Sequence, residues 1–349
     1  TSDEDVYTEF FVTFDQEITS NPKWLKNHLN NEFDIAFQDS DNYLNYLSNK
    51  GNLYWKKKLS GKIIGDIKQV DIYKNGRQQM MFRTEKNLYL LDRNGNEVKQ
   101  LSFPINSNSS NIPISIFDYE KNRNYRFLIT VDNQINMYDS NGKIVSGFKP
   151  PLFESKIISS PVHIRINGKD YIVIQLEDGS LKILDRRGRD RIIVNNKIQF
   201  SDNSIFSYLE HFTTTDKLGN LIKIDTKGNL KTENLNLSVE NSIDVVSNNL
   251  VYLNENRLTI KGITIELPFS RFSKPKIFID SKTTLVGITD LTNKEIYLYR
   301  ENGQLLEGFP IKGSSIIDIE DSDDDGKIEI ISKVDKFSIV CYEINLSQN

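Results

Sequence analysis

Cysteine is almost missing from this sequence: Cys341 is the only one in 349 residues, so no intrachain disulfide framework can hold the fold. It lies in the apolar run FSIVCYEI, where a small buried side chain is the expected role. One thiol leaves the redox compartment open, since envelope and extracellular proteins also do without disulfides. Histidine is scarce too: His28, His163 and His211 stand far apart, and His28 and His211 lie in polar stretches with no paired Cys or Ser motif. His163, in SSPVHIRING, reads as a packed or turn residue and not as a general base. No apolar run approaches the roughly 18 residues that a membrane-spanning helix requires. Gly-rich phosphate loops are absent, because GDIKQVDIYKNG has neither the glycine spacing nor the strand-to-helix context. Charge of one sign is not blocked together. The net charge is −4, which argues against a nucleic-acid partner, because such proteins present a basic face. No signal peptide is visible at TSDEDVYTEF, and the sequence reads as a mature or trimmed piece.

What is present is a repeat. An apolar or aromatic run, a polar turn with glycine and a second short run recur in NYLSNKGNLYWKKKL, LYLLDRNGNEVKQL, INMYDSNGKIVSGF, LKILDRRGRDRIIV, LIKIDTKGNLKTENL and IYLYRENGQLLEGFPI. A weaker copy is RLTIKGITIELPF. The turn glycines Gly51, Gly95, Gly142, Gly188, Gly228, Gly262 and Gly303 lie 34 to 47 residues apart. Glycine there supplies the positive φ of a tight hairpin. Further strand candidates, QQMMFRT, YRFLITV, DYIVIQL and TTLVGIT, fall between the hairpins. Helical periodicity is nearly absent, and even NPKWLKNHLNNEF reads as strand and loop.

Four strands in about 40 residues is the size of a β-propeller blade. The expectation is therefore an all-β fold, with residues 1–349 as one propeller. Its blades run about 22–59, 62–102, 112–149, 156–195, 203–236, 242–269, 274–311 and 314–346. The last of these offers three strands, and residues 6–18, around TEFFVTF, supply the fourth and close the ring. That gives eight blades, or seven if the weak copy near residues 235–270 is not one. Trp24 and Trp55 read as blade-core residues, Lys56 to Lys58 as an outer strand, and Arg186 to Arg191 as an exposed hairpin tip.

In the last blade IEDSDDDGKIEII places Asp321, Asp323, Asp325, Gly326, Lys327 and Glu329 at positions 1, 3, 5, 6, 7 and 9 of one loop. Three carboxylates on the inside of a tight turn, the backbone carbonyl of Lys327 and a closing Glu329 form the oxygen-rich set that Ca²⁺ requires. The pattern resembles the calcium hairpin of integrin-alpha-type FG-GAP blades. An EF-hand does not fit, since Ser332 occupies position 12 and a strand follows. The competing reading is a solvated acidic hairpin without an ion. Related loops are degenerate. One has Asp118, Glu120 and Asn122, with Arg126 at position 9 as a candidate stand-in for the metal, and another keeps only Asp71, Asn75 and Gly76. The expected role of Ca²⁺ is structural, and the expectation for the chain is that it is not an enzyme.

Residues 42–190 and 296–345, with phrases such as NYRFLITVDNQINMYDSNGK and KDYIVIQLEDGSLKILDRRGR, resemble the C-terminal propeller of a large Bacteroidota cell-envelope protein family often mislabelled ribonuclease HII. No acidic set of a ribonuclease H fold accompanies the likeness. The repeats are also similar to PQQ-like propellers, including the scaffold lipoprotein of outer-membrane barrel assembly. The resemblance implies a periplasmic or outer-membrane-associated location and a protein partner in an envelope complex. The alternative is a carbohydrate-binding or enzymatic propeller with its site at the mouth of the central channel.

Overall fold

Every repeat folds as an antiparallel sheet, and eight sheets follow one another round a ring in this computed structural model, which describes residues 6–105, 111–279 and 283–346. The fold is an eight-bladed β-propeller. The weak copy is a complete blade, with strands Ser242–Val246, Asn249–Asn254, Arg257–Ile260 and Ile263–Glu266. Seven of the sheets have four strands and the third blade has three. NPKWLKNHLNNEF forms the strand Lys23–Lys26, a turn, and the start of Phe33–Gln38.

The ring closes as the sequence indicates. Val6–Thr13 pairs antiparallel with Ser338–Ile344 and becomes the outer strand of the eighth blade. The first and last segments of the chain thus share one sheet, so unravelling either end breaks that blade.

The apolar core lies between blades, because each sheet is covered on both faces. Gln79–Arg83 is buried at all five positions, and Phe33–Gln38 at five of its six. Runs of this kind are continuous and not alternating, as expected of doubly covered strands. Each core cluster joins two neighbours: Leu88, Leu90 and Met81 of the second blade meet Phe127 and Ile129 of the third. The seam of the closed ring is filled by Trp24, Ile35 and Phe37 of the first blade against Ile331, Ile339 and Cys341 of the eighth.

Polar side chains stitch the same seams. At the end of a blade's second strand a side chain reaches the connector that leads into the next blade. Gln38 Nε2 donates to Gly61 O at 2.9 Å and Gln38 Oε1 accepts from Ile63 N at 2.7 Å. Gln175 Nε2 donates to Asn203 O, Thr289 Oγ1 to Ser315 O, and Arg83 Nη1 to Ile112 O. At the closing seam Lys333 Nζ donates to Ile18 O.

The turn glycines have a second role beyond positive φ. The hairpins of Gly51, Gly95, Gly142, Gly188, Gly228 and Gly303 lean on the outer strand or outer segment of the preceding blade, whereas Gly262 has no neighbour within 4 Å. A Cβ on Gly142 would lie 1.7 Å from Gln100 O, and one on Gly51 would lie 2.9 Å from the Phe10 ring.

Candidate metal centre at the ring seam

The acidic loop joins Asp318–Glu320 to Ile328–Lys333, the first and second strands of the eighth blade. Its shape comes from its first residue. Asp321 Oδ1 accepts from Asp325 N at 3.1 Å and Oδ2 from Gly326 N at 3.0 Å. Asp324 takes φ 62° and Gly326 φ 87° to permit this. The second and third blades repeat the device: Asp71 accepts from Asn75 N and Gly76 N, and Asp118 from Asn122 N and Arg123 N. The fold of the loop is therefore self-supporting, and only the eighth blade loads it with three carboxylates.

Ligand oxygens of Asp321, Asp323 and Asp325 lie within 4.8 Å of one another. Glu329 is not part of that cluster. It is fully buried, and its Oε2 accepts from Ser322 N at 2.5 Å. Two buried carboxylate oxygens, Asp323 Oδ1 and Glu329 Oε1, have no hydrogen-bond partner among the described residues. Burial pushes the Glu329 carboxyl up to about 7, against the hydrogen bonds from Ser322, and the negative charges of Asp323 and Glu9 add to the rise. Buried oxygens left without donors are costly, and a divalent cation held there would relieve that cost. Lys327 Nζ lies 3.3 Å from Asp325 Oδ2 and 2.7 Å from Glu343 Oε1. Its ammonium thus offsets part of the local negative charge.

The loop sits on the seam where the ring closes. Lys50, from the first blade, places Nζ 3.3 Å from Asp323 Oδ2 and 3.4 Å from Glu9 Oε1 on the closing strand. Ser322 O accepts from Phe33 N at 2.9 Å and from Asn49 Nδ2 at 3.4 Å. These partners were not legible in the sequence, being separated from the loop by more than 270 positions.

Cation pairing across seams recurs on this face. Arg93 of the second blade lies 3.1 Å from Asp34 of the first, and Arg123 of the third lies 2.6 Å from Asp71 of the second. The expected stand-in, Arg126, does not serve its own loop. Its guanidinium donates to the carbonyls of Asn124 and Tyr125, while Arg123 provides the cation and gives it to the neighbouring blade.

Other sequence candidates take structural places. His163 Nε2 is 2.7 Å from Asp170 Oδ1, and Asp170 also pairs with Arg186, which stacks on the Tyr119 ring. Burial opposes ionisation of Asp170, but the hydrogen bonds from His163 and Arg186 outweigh it and hold the carboxyl below its usual range. Arg186 is therefore more than a hairpin tip, since it crosses to Glu120 of the third blade. Lys56 and Lys58 lie on the outer strand Leu53–Lys58, over the Tyr43 ring. Trp24 is buried, and Trp55 stacks on Tyr46 with centroids 4.9 Å apart. Cys341 is buried.

Beside the acidic loop, the inner strands of the seventh, eighth and first blades line a cavity of about 610 Å³ with Lys23, Lys26, Phe33, Lys276, Phe278 and Glu320. Asp318 at its floor accepts from Lys23 Nζ, from Lys276 Nζ and from Trp24 N. No helix among the described residues is long and apolar enough to cross a membrane.

No family profile matches the chain, and no curated protein matches its sequence. Solved structures share the fold. The computationally designed Ika8 protein is similar with a TM-score of 0.65 and 12 % identity, covering 95 % of this chain and 98 % of that one. BamB from Moraxella catarrhalis is similar with a TM-score of 0.60 and 13 % identity, covering 99 % of both chains. BBS1N, solved in complex with ARL6DN, is similar with a TM-score of 0.57 and 11 % identity, also covering 99 % of both.

Proposed function

We propose that this chain is a non-catalytic protein-binding scaffold of a bacterial cell-envelope assembly, with one structural Ca²⁺ at its ring seam. The observation that carries the reading is the set of large apolar side chains on the loops of one face, opposite the acidic loop. Leu152, Leu218 and Val239 are more than half exposed and Phe269 is 92 % exposed. They stand in connectors between blades or in turns between second and third strands, on a framework fixed by interlocked seams. Apolar groups held exposed on the loops of a rigid ring offer contacts to a partner protein. The envelope location rests on the likeness of residues 42–190 and 296–345 to an envelope protein family, and the similarity to BamB is in keeping with it. BBS1N in its complex with ARL6DN illustrates a propeller of similar fold holding a protein.

In this reading Asp321, Asp323 and Asp325 hold the Ca²⁺, with Glu329 below and the Lys327 carbonyl at position 7. The ion supplies positive charge where Asp323 Oδ1 and Glu329 Oε1 lack donors, and so stiffens the seam. The rival site at the channel mouth is disfavoured because the Asp318 carboxylate is engaged by two ammonium groups and one backbone amide.

The test is retention of envelope-extract proteins on the immobilised propeller, compared with the double variant Leu218→Ser, Phe269→Ser. A defined set retained by the parent and lost from the variant is the expected result. Identical sets on both surfaces would overturn the assignment of this face.

A further inference from the structure

Asparagine followed by glycine occurs five times, at Asn75–Gly76, Asn94–Gly95, Asn141–Gly142, Asn167–Gly168 and Asn302–Gly303. The pair is chemically labile. With no Cβ on the following residue, its backbone nitrogen can approach and attack the asparagine amide carbon within the same chain. All five asparagines are exposed, so access to water does not separate them. The state of the nucleophile does.

In four pairs the glycine N–H is engaged. Gly76 N donates to Asp71 Oδ2 at 2.8 Å, Gly95 N to Asp92 O at 3.0 Å, Gly142 N to Asp139 O at 3.0 Å and Gly303 N to Arg300 O at 2.9 Å. Three of these turns are held a second time, because Gly95, Gly142 and Gly303 rest on Trp55, Gln100 and Ile263 of the preceding blades. Cyclisation there must first break a hydrogen bond and lift the turn from a seam.

Asn167–Gly168 is the exception. It is the two-residue turn between Val162–Ile166 and Lys169–Gln175, the first and second strands of the fourth blade, and the pair Ile166 and Lys169 closes it. Asn167 has φ 50° and Gly168 φ 74°, the two positive angles of a type I′ hairpin. The flanking residues make the closing bonds, which leaves the Gly168 N–H over. Neither Gly168 N nor the Asn167 side-chain amide has a hydrogen-bond partner among the described residues. Nothing lies within 4 Å of the point a Gly168 Cβ would occupy.

We infer that Asn167 is a site of spontaneous modification, deamidating through a cyclic imide ahead of the other Asn–Gly pairs. Gly168 N gives up its proton and bonds to Asn167 Cγ, the Cγ–Nδ2 bond breaks, and ammonia leaves with that proton. One water then opens the ring, its hydroxyl going to a carbonyl carbon and its proton to the nitrogen. Opening at Cγ yields aspartate on a normal backbone. Opening at the main-chain carbonyl yields isoaspartate, whose backbone runs through Cβ and is one carbon longer. Either product adds a carboxylate two residues after Arg165 and three before Asp170. Asp170 pairs with His163 and Arg186, and Arg186 crosses to Glu120 of the third blade. A lengthened turn therefore strains the hairpin that carries this seam.

The test ages the whole propeller in mildly alkaline buffer, with and without urea, and maps its peptides by mass spectrometry over time. In the folded protein Asn167 is expected to convert at least about tenfold faster than each of the other four, since a protected turn must open before it reacts. In urea the five rates are expected to fall within about threefold of one another, because the fold no longer distinguishes them. Isoaspartate is expected beside aspartate. Conversion of Asn167 no faster than the other four in the folded protein, while the urea sample reacts, would overturn the inference. So would aspartate alone, the mark of direct hydrolysis. The Asn167→Asp variant carries the charge on a normal backbone, and amide exchange at Asp170 and Tyr171 is expected to be several-fold faster in the aged protein than in this variant. Equal exchange in the two would overturn the link to the seam.

Discussion

The ammonium of Lys50 lies 3.3 Å from Asp323 Oδ2 across the seam that closes the ring. A lysine from the first blade would therefore compete with a cation held by the loop of the eighth for the same carboxylate. Removing the competitor in Lys50→Met is expected to tighten Ca²⁺ binding by about threefold to tenfold, the scale of one unit charge at short range in a solvated site. Asp323→Asn is expected to abolish the calcium-dependent rise in melting temperature. Calorimetric titration of both variants with Ca²⁺ checks this, and equal affinities for Lys50→Met and the parent would remove Lys50 from the site.

Glu329 gives the propeller a pH dependence with a definite sign. Its carboxyl is pushed up to about 7 by burial, above its value in an unfolded chain. The neutral form is the one the fold favours, so its contribution is present at low pH and is lost as pH rises through 7. A shift of this size corresponds to roughly 3 kcal/mol. Urea denaturation without Ca²⁺ is expected to show stability falling between about pH 4.5 and pH 7, a slope that Glu329→Gln flattens. Saturating Ca²⁺ is expected to reduce the slope as well, because a bound cation favours the ionised carboxylate.

At the channel, Asp318 is the hub of a small ion cluster. Lys23 Nζ and Lys276 Nζ approach to 2.8 and 2.7 Å, while the carboxylate itself is buried. Asp318→Asn leaves two half-covered ammonium groups facing each other and is expected to cost about 2–4 kcal/mol. The accompanying sign is that added salt restores part of the loss. Guanidinium would mask this screening, so urea melts at two NaCl concentrations are the measurement.

Much of this architecture is legible in the sequence because blades are local. Gly51 through Gly303 mark hairpins, each hairpin lies within one repeat, and a four-strand period follows from their spacing. The closing role of residues 6–13 is legible by counting, since the last blade runs short by one strand. The carboxylates of the acidic loop are legible too, because positions 1, 3 and 5 of a tight turn must converge. What the repeat conceals is everything that crosses a seam. Lys50 reaches Asp323, Arg123 reaches Asp71 rather than its own loop, and Arg186 leaves its hairpin for Glu120. Those pairings depend on how neighbouring sheets twist against each other, and no spacing within a repeat encodes that.

The glycine turns separate local strain from seam contact within one molecule. Gly262 has φ 82° and nothing within 4 Å of the point a Cβ would occupy, while Gly142 has φ 72° and Gln100 O only 1.7 Å from that point. Gly262→Ala is expected to cost about 1–2 kcal/mol, the penalty of the left-handed region alone. Gly142→Ala adds a collision with a backbone carbonyl that cannot swing aside, so the hairpin must lift from the second blade. Its expected cost is at least about 3 kcal/mol, within the range for strained, overpacked positions. Denaturation curves compare the two directly, and amide exchange locates the damage. Faster exchange at the seam between second and third blades in Gly142→Ala, with none at the sixth in Gly262→Ala, is the expected pattern. Equal costs would mean that these hairpins rest on their neighbours without being held by them, and that the seams draw their strength from the core clusters and the connector hydrogen bonds.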